Sequence, residues 1–190
     1  MTSERHKTYL DAAREAILDV GWKRTTLTDV ARRAGVSRMT IYRAWPDMQT
    51  LLADLMTREW SAIFAAVPAP ADDEVTPERV GTAITAAITA LRANPLFRRI
   101  LDLDPELLLP YLLDRRGRSQ QAVLDLLTPR IAAGQAAGRI RAGSPELLAR
   151  TVLLAAHGIT LSAHTMADDD IAEQELVDEL NRLISKGLAP

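Results

Sequence analysis

Apolar side chains recur at intervals of three and four along almost the whole chain, and no stretch alternates convincingly with a period of two. The pattern predicts helices and no sheet. Leu10, Ala13, Ile17 and Val20 form the stripe of a first helix over about residues 3–20, which Gly21 ends. Leu27, Val30, Ala31 and Ala34 mark a second, with Thr26 and Asp29 spaced as a capping box in which Asp takes the Glu place. Gly35 stands where the backbone must leave that helix abruptly, and a positive φ is expected there. Ser37 then caps a third helix, from which Val36 and Ile41 pack back while Ala31 permits close approach. Arg38, Met39, Thr40, Tyr42 and Arg43 are left pointing elsewhere.

Beyond this unit the punctuation is mostly proline. Pro46 opens a long helix to about residue 67, carrying Leu51, Leu52, Leu55, Met56, Ile63 and Phe64. Residues 68–76 read as a loop, and Thr76-Pro77-Glu78 restarts a helix that stops near Asn94-Pro95. Asp104-Pro105-Glu106 and Ser144-Pro145-Glu146 repeat one grammar of cap, first-turn proline and acid at the positive end of the helix dipole. Between them a helix is expected over 114–137, ending at Gly138, and the last two over 145–165 and 171–186, the latter capped by Asp170 with Glu173. The fold class predicted is all-α, with about nine or ten helices and no repeat that would make a solenoid. Apolar stripes in the final pair are dense: Leu147, Leu148, Val152, Leu153, Ala156 and Ile159, then Leu176, Val177, Leu180, Leu183 and Ile184. They suit both an intrachain core and a four-helix contact with a second copy.

Composition narrows the setting. With 190 residues and 47% hydrophobic content the chain has enough apolar surface for a substantial core, in one or two small domains. It has no cysteine, so disulfides and thiolate metal sites are excluded, and no metal or other cofactor is expected. The apolar runs are too short or interrupted to span a bilayer, and a cytoplasmic protein without membrane attachment is expected. Net charge is −2, but Lys23, Arg24, Arg32, Arg33, Arg38 and Arg43 face only Asp29 between Trp22 and Trp45. That stretch carries +5 and the remainder −7. A basic head on an acidic body suits a modular binder of double-stranded DNA.

At the level of residues, Arg38 and Arg43 are candidates for base edges or phosphates, Met39 and Thr40 for a thymine methyl or a hydroxyl contact, and Tyr42 for a phosphate. Thr26 and Ser37 are primarily caps and secondarily phosphate contacts, while Arg33 pairs with Asp29 one turn away. For a small-molecule site the candidates are the aromatics Trp60, Phe64, Phe97 and Tyr111 together with His157. His157 and His164 lie seven apart on one helix, too far to share a metal ion. No close grouping of nucleophile, base and orienting acid is present, so no enzymatic activity is expected.

The combination Gly21, Thr25-Thr26, then 30–37 as Val-Ala-Arg-Arg-Ala-Gly-Val-Ser, Thr40-Ile41-Tyr42-Arg43 and Trp45-Pro46 with Leu51 resembles the DNA-binding domain of TetR-family transcriptional regulators over residues 5–55. Residues 134–141 and 149–158 are similar to the regulatory half of that family. The resemblance implies a helix-turn-helix DNA-binding domain over 1–46, with its motif at 27–44, and a ligand-binding and dimerisation domain over 47–190. It implies a homodimer joined through the last two helices, about 145–186, that binds a palindromic operator, usually as a repressor, and releases it when a small-molecule effector binds. One position departs from the pattern. Family members commonly carry Lys early in the fourth helix, where the ammonium holds a DNA phosphate, and here that position is Met48. The competing expectation is therefore a helical small-molecule-binding protein that has lost specific DNA binding.

Overall fold

The computed structural model describes residues 2–67 and 74–190, so residues 68–73 of the loop expected over 68–76 lie outside the described residues. The described residues form nine α-helices and no strand. They are α1 (Thr2–Val20), α2 (Leu27–Arg33), α3 (Arg38–Ala44), α4 (Met48–Ala66), α5 (Pro77–Ala93), α6 (Pro95–Leu103), α7 (Arg118–Ala136), α8 (Pro145–Met166) and α9 (Glu173–Leu188). A 3₁₀ turn at Pro105–Leu107 and a π turn at Pro110–Asp114 lie between α6 and α7. The chain divides into two compact units, one of residues 1–60 with 93–116, the other of 61–92 with 117–190.

The first unit is built around α1 to α3. Ala13, Ile17, Val30, Ala31 and Ile41 are essentially without exposed surface. Trp45 joins them, with its ring edge-on to His6 and Tyr9 at centroid distances of 5.0 and 6.3 Å. Its indole N–H, which a buried ring must satisfy, donates to Asp54 at 2.8 Å. Arg14 pairs with Glu59 at 3.1 Å and Arg58 with Asp11 at 2.7 Å, so α4 is also fastened along α1. The second unit has its own core, in which Ile88, Ile131, Ile140, Leu148, Val152, Leu180 and Ile184 are buried together. Gly81 of α5 sits so close to α9 that a Cβ there would lie 3.1 Å from the Asn181 carbonyl oxygen and 2.9 Å from Ser185 Oγ.

Several local expectations change. Pro46 precedes α4 without entering it, and Asp47 caps the helix by accepting the Thr50 N–H at 2.7 Å. Asp170 does not cap the last helix. The flanking position before Glu173 is Ala172, whose N–H donates to Glu175 at 2.8 Å, while Asp168 takes the N–H groups of Asp170 and Ile171. The helix expected from 114 begins at Arg118, behind Gly117, because 110–114 is wound as the π turn. Asn94 does more than end α5: its side chain accepts from the N–H groups of Leu96 and Phe97 and opens α6.

The largest change is at Asp104. Asp104-Pro105-Glu106 starts only a 3₁₀ turn, and the Asp104 carboxylate makes no cap bond. It is buried, 3% exposed, and accepts the N–H of Trp22 at 2.9 Å, 82 residues away. Removing this acceptor orphans a partly buried donor, which costs about 1 to 3 kcal/mol. Asp104→Ala should therefore unfold at lower urea than the parent by that amount, and Asp104→Asn, which keeps an acceptor, by less. Gly81→Ala should lose a similar amount, about 1 to 3 kcal/mol, through overpacking against α9.

Candidate nucleic-acid interface

Two short helices and the bend between them present the candidate surface. Thr26 takes an extended conformation (φ −122°, ψ 157°), and its Oγ1 accepts the Asp29 N–H at 3.1 Å. The Asp29 carboxylate returns to the Thr26 N–H at 3.2 Å and takes the hydroxyl proton at 2.6 Å. These hydrogen bonds, first that of the Thr26 side chain, hold the Asp29 carboxyl below its ordinary pKa. Gly35 then turns the chain with φ +66°, a left-handed conformation that an L side chain would strain. The Val36 N–H reaches the Ala31 carbonyl at 3.0 Å across the turn, which satisfies the end of α2. Ser37 Oγ accepts the Thr40 N–H at 3.2 Å and lies 2.9 Å from the Thr40 hydroxyl. The capping box, the left-handed glycine and the second cap thus stand where the sequence places them.

Ile41 has no exposed surface, which anchors α3 on α2 and turns its other side outward. Arg38, Met39, Tyr42 and Arg43 are exposed on that side, Met39 at 63% and Tyr42 at 43%. The exposed methionine and tyrosine between two arginines give this side of α3 an apolar centre flanked by positive charge. Thr40 is half-buried and engaged with Ser37, and the hydroxyl of Thr26 is engaged with Asp29.

The six cations of the basic stretch separate into two groups. Lys23 pairs with Glu106 at 2.6 Å, and that partner raises the ammonium pKa. Arg32 lies 3.9 Å from Asp29. Arg33 does not pair with Asp29 as its spacing suggests. It pairs instead with Asp19 at 2.6 Å, at the end of α1. Arg24, Arg38 and Arg43 are exposed and have no acidic partner among the described residues.

The five small-molecule candidates are not brought together as one group. Trp60 and Phe97 meet edge to face, with centroids 5.6 Å apart, and both are buried in the first unit at 5% and 4% exposure. Tyr111 also belongs to the first unit, with the Arg115 guanidinium 5.5 Å over its ring. Phe64 and His157 belong to the second, both half-buried, and Gln120 Nε2 lies 3.5 Å from His157 Nε2. Asp19 and Asp104 were not legible as parts of the head. Nothing in local spacing marks an acid that serves a partner fixed by the tertiary fold.

Similar proteins share both the head and the whole length. The family model for bacterial regulatory proteins of the tetR family matches residues 10–55. An uncharacterised HTH-type transcriptional regulator of Mycobacterium tuberculosis is 34% identical over 176 residues, covering 93% of this chain and 90% of its own. Among solved structures, the TetR-family repressor QsdR of R. erythropolis superposes with a TM-score of 0.70 at 16% identity, covering 100% of this chain and 98% of its own. The regulator FadR of Bacillus subtilis, solved with stearoyl-CoA, superposes with a TM-score of 0.68 at 17% identity over 96% of this chain and 98% of its own. Their likeness carries the fold, and the mycobacterial relative carries the family across the length of the chain. No described helix is long and apolar enough to cross a membrane. With its capped helix-turn-helix, its all-helical body and a relative matching nearly end to end, the chain belongs to the TetR family of transcriptional regulators.

Proposed function

We propose that this regulator is a repressor that binds a palindromic operator as a homodimer and releases it when a small molecule binds the C-terminal domain. The observation that carries the reading is the outer side of α3, where Arg38, Met39, Tyr42 and Arg43 stand exposed over a fully buried Ile41. In this assignment residues 1–46 are the DNA-binding domain and 47–190 the ligand-binding and dimerisation domain. Arg38 and Arg43 read bases or phosphates, Met39 and Thr40 contact base edges, Tyr42 reaches a phosphate, and Thr26 and Ser37 act chiefly through the caps they make.

A dimer follows from the geometry of DNA, because two recognition helices must enter successive major grooves about 34 to 36 Å apart. Its proposed seat is on α8 and α9. Most of their apolar stripes, including Leu148, Val152, Leu180 and Ile184, are consumed by the intrachain core. Leu147 and Leu154, two turns apart on α8, and Leu183 on α9 remain 63%, 70% and 63% exposed. The bond from the Arg141 N–H to the Leu188 carbonyl at 2.9 Å places the chain entering α8 beside the end of α9, so these leucines belong to neighbouring elements. Single exposed leucines are ordinary, but this set on two packed helices suits a second copy better than water.

The effector is assigned as a largely apolar molecule with a polar end. FadR, solved with stearoyl-CoA, supports this through its fold alone. Of the five candidates, Phe64 and His157, which share the second unit, are its proposed contacts, while Trp60 and Phe97 serve as core of the first unit. His157 supplies the polar group as a neutral ring, since burial pushes its pKa below the ordinary 6.5.

Three outcomes test these assignments. On a duplex selected from a random-sequence pool, changing a base-reading arginine among Arg38 and Arg43 to Ala should relax preference at one operator position by about 1 to 3 kcal/mol. Identical binding by both variants and the parent would contradict the placement of the interface. Leu154→Glu should sediment as a monomer at a concentration where the parent is a dimer, and should bind DNA weakly. Finally, the folded pKa of His157 lies below the unfolded value of 6.5, so its contribution to stability is present above that pH and is lost as the pH falls below it. His157→Gln should flatten this part of the pH dependence of Tm; an unchanged slope would show that the ring is not held neutral.

A further inference from the structure

The turn between α1 and α2 is pinned at more points than a connection of its length needs. The Trp22 N–H donates to Asp104 at 2.9 Å. The Thr25 N–H returns to the Trp22 carbonyl at 2.9 Å, and the buried Thr25 hydroxyl donates to the Gly21 carbonyl at 2.8 Å. Arg99 donates to the Asp19 carbonyl at 3.0 Å, which holds the last turn of α1, and Asp19 in turn pairs with Arg33 of α2. Of the two cations on this turn, Lys23 is committed to Glu106. Arg24 is exposed and has no acidic partner among the described residues.

We propose that Arg24 is a phosphate anchor of the DNA-binding head, presented by a turn that Asp104 and Thr25 hold rigid. This inference rests on the DNA-binding reading above and adds a residue to it. In helix-turn-helix docking the first helix of the motif crosses the phosphate backbone while the second lies in the groove. Arg24 stands two residues ahead of Thr26, the cap of that first helix, where a cation meets backbone and no base. Fixing the turn before binding lowers the ordering cost of the contact to that of one side chain.

The start of α4 supplies the complementary observation. Its first residue is Met48, which has no charge, and the Asp47 carboxylate already occupies the Thr50 N–H at 2.7 Å. That bond and the backbone of Gln49 hold the Asp47 carboxyl below its ordinary range, so an anion stands at this terminus. A phosphate approaching there meets a negative charge, while one approaching the α1–α2 turn meets Arg24.

The test compares two neighbouring charges. The full-length protein, Arg24→Ala, Arg24→Lys and Lys23→Ala are titrated by fluorescence anisotropy against a labelled duplex that the wild type selects from a random-sequence pool, and against a scrambled duplex, over a range of salt. Arg24→Ala should weaken binding to both duplexes alike, by about three- to tenfold, and lower the slope of log K against log salt by about one. Lys23→Ala removes the same charge from the same turn and should leave the slope unchanged, while Arg24→Lys should keep it. If Arg24→Ala and Lys23→Ala have equal slopes, or Arg24→Ala matches the wild type, the assignment of Arg24 is overturned and the DNA-binding reading stands. If the wild type enriches no duplex from the pool, that reading itself fails.

Discussion

The packing of α3 on α2 is the constraint from which the reading head follows. Val30, Ala31 and Ile41 have essentially no exposed surface, and no larger residue at Ala31 would let the two axes approach as they do. With that side committed to the core, the opposite side of α3 has nowhere to go but outward. Gly35 sets the angle between the helices through its left-handed φ, and the caps at Thr26 and Ser37 fix where each helix begins. A seven-residue helix is marginal by itself in water, so α3 exists because Ile41 is buried and its first turn is capped.

A second layer of order comes from far along the chain. α6 and the turn behind it belong to the same compact unit as the head, and Asp104 spends its carboxylate on the backbone of the α1–α2 turn. A buried acid is costly unless hydrogen-bonded or paired, and here the Trp22 N–H and the Lys23 ammonium, 3.9 Å away, meet that need. The arrangement makes the position of the turn a property of residues more than 80 positions apart. It also sets Lys23, the residue after Trp22, beside Glu106.

The departures from simple spacing share one cause. Asp104-Pro105-Glu106 and Ser144-Pro145-Glu146 have the same local grammar, yet only Ser144 caps its helix, accepting the Leu147 N–H at 3.2 Å. Arg33 reads as a partner of Asp29 one turn away but pairs with Asp19, which the packing of α1 on α2 brings to 2.6 Å. In both cases one polar group has two suitors, and the tertiary fold decides by bringing the better one within reach. Leu147 and Leu183 show the apolar counterpart: each lies in a helical stripe of otherwise buried residues, and each is exposed because its angle on the helix just misses the core.

What the sequence determined by itself is the all-helical class and most of the helices, though not α6, together with the positions of most caps, the left-handed turn at Gly35 and most of α3's outward residues. These depend on periodicity and on bonds within a few residues, which spacing records directly. What only the tertiary structure decided is which charges are spent and which are free: Lys23 on Glu106, Arg33 on Asp19, Asp104 on Trp22, with Arg24, Arg38 and Arg43 left over. A charge carries no directional signal along the chain. Its partner is chosen by distance in the folded molecule, and that distance exists only after the apolar core has set the helices in place.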